Sequence, residues 1–176
     1  MFNLKQVPYW RRPEDQKEYA LNVDGSSNKN TNRAGFGVVI RDHQGNWIRG
    51  FSGRIDYTNC LDAELIAILN GLSLASFIGI RDVSCRSDCL QALKFITDST
   101  LQPGEYYDIV DSIRELLSRD WFVSFEHTYR EGNQCADYMA KLGANGMNCM
   151  KRYFEPPIFL DSLLMSDASR TLYRRA

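Results

Sequence analysis

Histidine is scarce in this chain of 176 residues, with only His43 and His127 present. The five cysteines, Cys60, Cys85, Cys89, Cys135 and Cys149, are odd in number and include no C-x-x-C pair. Together these gaps argue against a structural zinc site, which draws Cys and His ligands at short spacings. The thiols read instead as buried free cysteines of a reducing compartment. Charge of one sign is not in excess either. Lys and Arg number 21 against 22 Asp and Glu, a formal net charge of -1. A protein that grips phosphates by bulk charge alone is therefore not indicated. No apolar run approaches membrane-spanning length and no signal peptide is evident. The expectation is a soluble intracellular monomer, with nucleus or cytoplasm left open.

What is present is strong patterning. Residues 1–17, with Pro8, Trp10 and Pro13, have no clean period and read as a lead-in. A strand is expected from Tyr19 to Asp24, a second over 34–41 and a third over 47–53. Polar turn formers separate them, as in an antiparallel meander built from two hairpins. Leu61, Leu65, Ile68, Leu72 and Ala75 then recur at helical spacing. Val83–Ser87 reads as a short strand and Leu90–Ile96 as a short helix. Tyr106–Leu117 reads as an amphipathic helix, Trp121–Phe125 as a last strand and Asn133–Leu142 as a last helix. The order βββ-α-β-α-α-β-α predicts an α/β fold with a mixed five-stranded sheet and helices on both faces. The domain is expected over 18–146, followed by a C-terminal extension, 147–176, in which 158–165 form one or two apolar turns. Trp47, Phe51, Trp121 and Phe125 are expected in the core.

Four carboxylates stand beside apolar sequence: Asp24, Glu64, Asp88 and Asp137. Asp24 and Asp88 end expected strands. If those strands lie side by side and parallel, both acids leave the same sheet edge, where open sheets place their ligands. Glu64, three residues after Leu61 and four before Ile68, shares the packed face of its helix. Asp137 lies four residues past Asn133, on the same helix face. Converging ionised carboxylates repel and are costly to bury. Divalent Mg²⁺ or Mn²⁺, which prefer oxygen ligands, would offset that cost. Two such ions suit metal-assisted hydrolysis of a phosphodiester without a protein nucleophile. Taken singly, each acid reads more readily as a cap, a turn residue or a salt-bridge partner, and it is the combination of type, order and placement that carries the metal reading.

The segments Asn22-Val23-Asp24-Gly25-Ser26, Gly35–Arg41, Ala63-Glu64-Leu65-Ile66-Ala67, Ser87-Asp88-Cys89 and Arg130–Asp137 resemble ribonuclease H of type 1. They resemble most its plant retroelement-associated, reverse-transcriptase-like branch. The likeness is strong over about 19–143. It implies hydrolysis of the RNA strand of an RNA–DNA hybrid with two Mg²⁺ ions, for which Mn²⁺ can substitute. It also implies catalytic, metal-ligand roles for Asp24, Glu64, Asp88 and Asp137, and RNA contacts near Gly25 and Ser26. Asn59 and Asn133 read either as contacts to the backbone or a 2′-hydroxyl, or as helix caps.

Two departures from better-known members stand out. The stretch between Asp88 and Asp137 leaves no room for an extra basic helix. His127 ends a strand rather than lying on a flexible loop before the last acid, so an auxiliary role competes with a purely structural one. Arg130 and Glu131 read as turn-fixing residues. The abrupt lead-in reads as a fragment of a longer polyprotein with a reverse transcriptase. The rival to the nuclease is a non-catalytic nucleic-acid-binding or interaction module derived from such a domain.

Overall fold

The computed structural model describes residues 5–7 and 18–173. The lead-in residues Trp10 and Pro13 lie outside them, as do Arg174, Arg175 and the side chain of Arg170. Among the described residues, seven strands form one sheet: β1 (Lys5–Val7), β2 (Tyr19–Asn28), β3 (Arg33–Arg41), β4 (Trp47–Ile55), β5 (Asp82–Ser87), β6 (Phe122–Thr128) and β7 (Lys151–Tyr153). Their spatial order is β1-β6-β5-β2-β3-β4-β7. The five expected strands make up its centre. Two edge strands of three residues each extend it, too short to show any alternation in sequence.

Strands β2, β3 and β4 form the antiparallel meander. The second hairpin closes where the Asp42 carboxylate accepts the backbone N–H groups of Gln44 and Asn46, at 2.9 and 2.8 Å. Gly45 completes that turn at a φ of 88°, a conformation most residues avoid. Strands β2, β5 and β6 run parallel, so their carboxyl ends share one edge.

Helices α1 (Cys60–Phe77), α2 (Leu90–Thr97) and α3 (Tyr107–Leu117) cover one face. Their core includes the fully buried Leu65, Ile68, Leu72, Leu93 and Ile113. Each such side chain contributes about 1.5–3 kcal/mol on burial. By length and composition α1 would suffice to cross a membrane, with a mean hydropathy of 1.5. This corrects the expectation that no apolar run approaches that length. Half of the helix is buried against the sheet, which accounts for its composition.

Helices α4 (Gln134–Asn145) and α5 (Asp161–Tyr173) lie on the other face, around Val39, Cys135, Met139 and Leu160. Close packing here rests on Gly37, where a Cβ would meet the backbone nitrogen of Ala140 at 2.2 Å. The segment expected as one or two apolar turns is a 3-10 turn, Ile158–Leu160, followed by the longer α5. It packs into the same body, since β7 pairs with β4 and Leu160 is fully buried. Phe51 and Phe125 are core residues, and Trp47 and Trp121 pack partly buried against the two clusters. The thiols differ from the uniform burial expected of them: Cys60 and Cys149 are exposed.

Candidate active site

The pairing of β2 with β5 ends at Asn22 and Arg86, but β2 continues beside β3 as far as Asn28. The strand is thus longer than the sequence suggested. Asp24 stands where the sheet loses its β5 neighbour, and Asp88 follows the end of β5. Helix α1 brings Glu64 to the same point from one face. Its approach needs Gly25, because a Cβ there would meet the Ala63 carbonyl carbon at 2.3 Å. One carboxylate oxygen each from Asp24, Glu64 and Asp88 lie within 4.8 Å of one another. Asp24 and Glu64 are 5% and 6% exposed, so two of the three charges are almost fully withdrawn from water.

Both oxygens of Glu64 are held. Oε1 accepts the Gly25 N–H at 3.0 Å, and Oε2 accepts the Ser87 hydroxyl at 3.1 Å. The Ser87 oxygen in turn accepts the Cys89 N–H at 3.0 Å. Burial pushes the Asp24 carboxyl far above the usual carboxylate range, and the charges of Glu64, Asp88 and Asp137 push it further. A hydrogen bond to Glu64 favours the proton on Asp24. Burial also raises Glu64, against the bonds it accepts from Asp24 and Gly25. Asp88 is raised by burial, and the Arg130 charge works against that rise.

Asp137 lines the same cavity, of about 730 Å³, but stands at its rim outside the tight trio. Its side chain is 32% exposed, and Oδ2 lies 2.6 Å from the Lys141 ammonium one helical turn on. Gly25 and Ser26 line the cavity with it. Asn59 is the N-cap of α1, accepting the Asp62 N–H at 2.9 Å and donating to the Tyr106 hydroxyl at 3.1 Å.

The expected substrate contact at Asn133 is corrected. Its side chain is 1% exposed, donates Nδ2–H to the Val23 carbonyl at 2.8 Å and accepts from Asn22 at 3.0 Å. It does not cap α4 with its side chain and does not share the outlook of Asp137. The reason is the pair of buried groups it satisfies, the Asn22 amide and the Val23 carbonyl, which hold the side chain inward.

His127 lies in β6 opposite Ser87. Its Nε2 donates to the backbone carbonyl of Asp88 at 3.1 Å. Its Nδ1 is buried without a hydrogen-bond partner among the described residues.

The sequence reading gave Lys141 no role, named Ser87 only within the Ser87-Asp88-Cys89 segment, and favoured the turn over chemistry for Arg130. The spacing of Asp137 and Lys141, four apart on a helix, signals the ion pair. The bond from Ser87 to Glu64 is not readable locally, because the two lie 23 residues apart.

The donor set is all oxygen and carries more negative charge than burial tolerates, which fits a hard divalent cation. Over residues 22–143 the chain matches the family described as reverse transcriptase-like. An Arabidopsis thaliana protein named as a ribonuclease H protein is 29% identical over 147 residues, 84% of this chain and 24% of its own length. This chain therefore spans less than a third of that relative. Among solved structures, RNase H1 of the halophilic archaeon Halobacterium salinarum has a TM-score of 0.65 at 22% identity, covering 72% of this chain and 96% of that one. LC11-RNase H1 in complex with RNA/DNA hybrid has the same TM-score of 0.65 at 23% identity, covering 72% and 96%. The protease-reverse transcriptase of prototype foamy virus gives 0.59 at 16% identity, covering 84% of this chain and 23% of its own. These structures share the overall fold of this chain, and the chain belongs to the reverse transcriptase-like family, with the ribonuclease H fold.

Proposed function

We propose that this chain hydrolyses the RNA strand of RNA–DNA hybrids, with Asp24, Glu64, Asp88 and Asp137 as the residues that hold two Mg²⁺ or Mn²⁺ ions. The observation that carries this reading is the convergence of Asp24, Glu64 and Asp88 within 4.8 Å at the sheet edge. When bound, such ions lower the pKa of a water and offset charge on the leaving oxygen. The chain's own residues prepare that site. Gly25 and Ser87 fix Glu64 through both of its oxygens. His127 holds the backbone at Asp88. Asp137 stands at the open side of the cavity, where substrate enters, and Lys141 and Arg130 beside it attract backbone phosphates. Gly25 and Ser26 present backbone to the strand being cut, where the 2′-hydroxyl distinguishes RNA from DNA.

A reverse transcriptase in the same polyprotein is the proposed partner. The coverage of only 24% of the Arabidopsis relative and the fold likeness to the foamy virus protein support it.

The test is incubation of the full chain with labelled RNA–DNA hybrid, duplex RNA and duplex DNA, with and without Mg²⁺. Cleavage of the hybrid's RNA strand alone, and only with metal, is expected. Absence of cleavage, or equal cleavage of duplex DNA, would refute the reading. One observation favours the rival, a non-catalytic module: Lys141 already neutralises Asp137 at 2.6 Å. Calorimetry separates the two, since the module predicts no heat of binding at millimolar Mn²⁺.

A further inference from the structure

On the face opposite α1, a line of buried polar side chains runs from the C-terminal helix to the candidate site. Asp167 of α5 is 5% exposed, and its carboxylate accepts from the Arg41 guanidinium at 2.8 Å. The Cys135 thiol also donates to Asp167, at 3.4 Å. Arg41, itself 1% exposed at the end of β3, donates onward to Asn22 Oδ1 at 3.3 Å. Asn22 Nδ2 donates to Asn133, and Asn133 Nδ2 donates to the Val23 carbonyl. Val23 precedes Asp24. The backbone carbonyl of Asn133 accepts the Asp137 N–H at 3.0 Å. The chain therefore ends on the two backbone points that present the first and last carboxylates of the site.

The chemistry of this line is exacting. A buried ion pair is weak evidence of net stability, but removing one partner strands a charge away from water. Each amide in the line is fixed in one orientation by its neighbours, so the order of donors and acceptors is determined from Asp167 to Val23.

We propose that Asp167 and Arg41 are positioning residues, through which α5 holds Asp24 and Asp137 in register for metal. The inference rests on the metal reading of the site and adds a dependence on the C-terminal helix.

The test compares the parent chain with the double variant Arg41→Met/Asp167→Leu, which removes both charges and leaves neither stranded. The single variant Asp167→Ala is expected to lose stability for the trivial reason that it removes the carboxylate bonded to a buried guanidinium. Three quantities are measured: thermal unfolding, Mn²⁺ affinity by calorimetry, and hydrogen exchange at the Asp137 amide without metal. The double variant should unfold within a few degrees of the parent. Its Mn²⁺ affinity should fall by about 10-fold or more, the effect expected for residues that orient metal ligands. Exchange at the Asp137 amide should quicken, while α3 amides keep parent rates. A folded double variant with parent affinity and parent exchange would overturn the inference. A parent chain that binds no Mn²⁺ would instead overturn the metal reading, and the exchange rates would then decide the coupling on their own.

Discussion

Replacing Asp24 with Asn tests the electrostatic centre of the site. Burial and the charges of Glu64, Asp88 and Asp137 hold the Asp24 carboxyl far above its ordinary value of 3.8. In metal-free protein at mildly acidic pH, the folded chain keeps a proton on Asp24 that the unfolded chain has released. Stability then falls as pH rises, with a slope of about 1.4 kcal/mol per pH unit for each such proton. This stabilisation is complete below the unfolded carboxylate value and is lost as pH climbs through the folded one. Glu64, raised by burial in the same way, adds a slope of the same sign. For a chain of this size 1 kcal/mol shifts Tm by about 2–4 °C, so Asp24 alone predicts a fall of about 3–6 °C per pH unit. The assay is thermal unfolding followed by circular dichroism in chelator, between about pH 5.5 and 6.5. Asp24→Asn should flatten that slope by one proton and abolish hybrid cleavage. Mg²⁺ at about 100 times its Kd should add about 2.7 kcal/mol to the parent and far less to the variant. A parent Tm that is flat across this window, or a variant with the parent's slope, would refute the reasoning.

Ser87→Ala removes a hydroxyl from a buried carboxylate and should cost about 1–3 kcal/mol in stability. Cleavage should fall with it, and Ser87→Thr should restore both in the same assays. Gly25→Ala drives a methyl into the Ala63 backbone at 2.3 Å. It should destabilise by about 3 kcal/mol, measured by urea unfolding, because α1 has to move away from β2. Lys141→Gln releases Asp137 from its ion pair. Stability should change by less than about 1 kcal/mol, as for surface pairs, while Mn²⁺ binds a few-fold more tightly by calorimetry.

The meander, α1, β5 and α4 were legible because each carries an undivided period. Leu61 to Ala75 keeps helical spacing, and Asp42 to Asn46 is a turn by composition. Asp24, Glu64 and Asp88 could be named together because two of them follow apolar runs that read as strands and the third shares a packed helix face, although β2 itself continues past Asp24 to Asn28. What stayed hidden depends on partners distant in sequence. Asn133 looks like a cap from its neighbours alone, yet its partners Asn22 and Val23 lie 111 and 110 residues away. α5 was underestimated because its inward face carries a charge, Asp167, where an apolar residue would have marked a helix. Arg41 reads only as the end of a strand, because its carboxylate partner lies 126 residues on.

The two kinds of buried charge in this fold oppose each other. At the sheet edge, Asp24, Glu64 and Asp88 press negative charges together, which burial alone would disperse by protonation or by movement. Movement is blocked on both sides of the sheet. Toward α1, Gly25 permits backbone contact, and Gly25 and Ser87 hold both oxygens of Glu64. Toward α4, Asn133 ties the β2 backbone to the start of the helix that carries Asp137. With neither side free to relax, protonation is the route left, and the proton kept on Asp24 is what a bound cation would displace. The charges of Arg41 and Asp167 pair with each other at 2.8 Å, and the line they anchor reaches the site only through the neutral amides of Asn22 and Asn133, so it adds no counter-charge there.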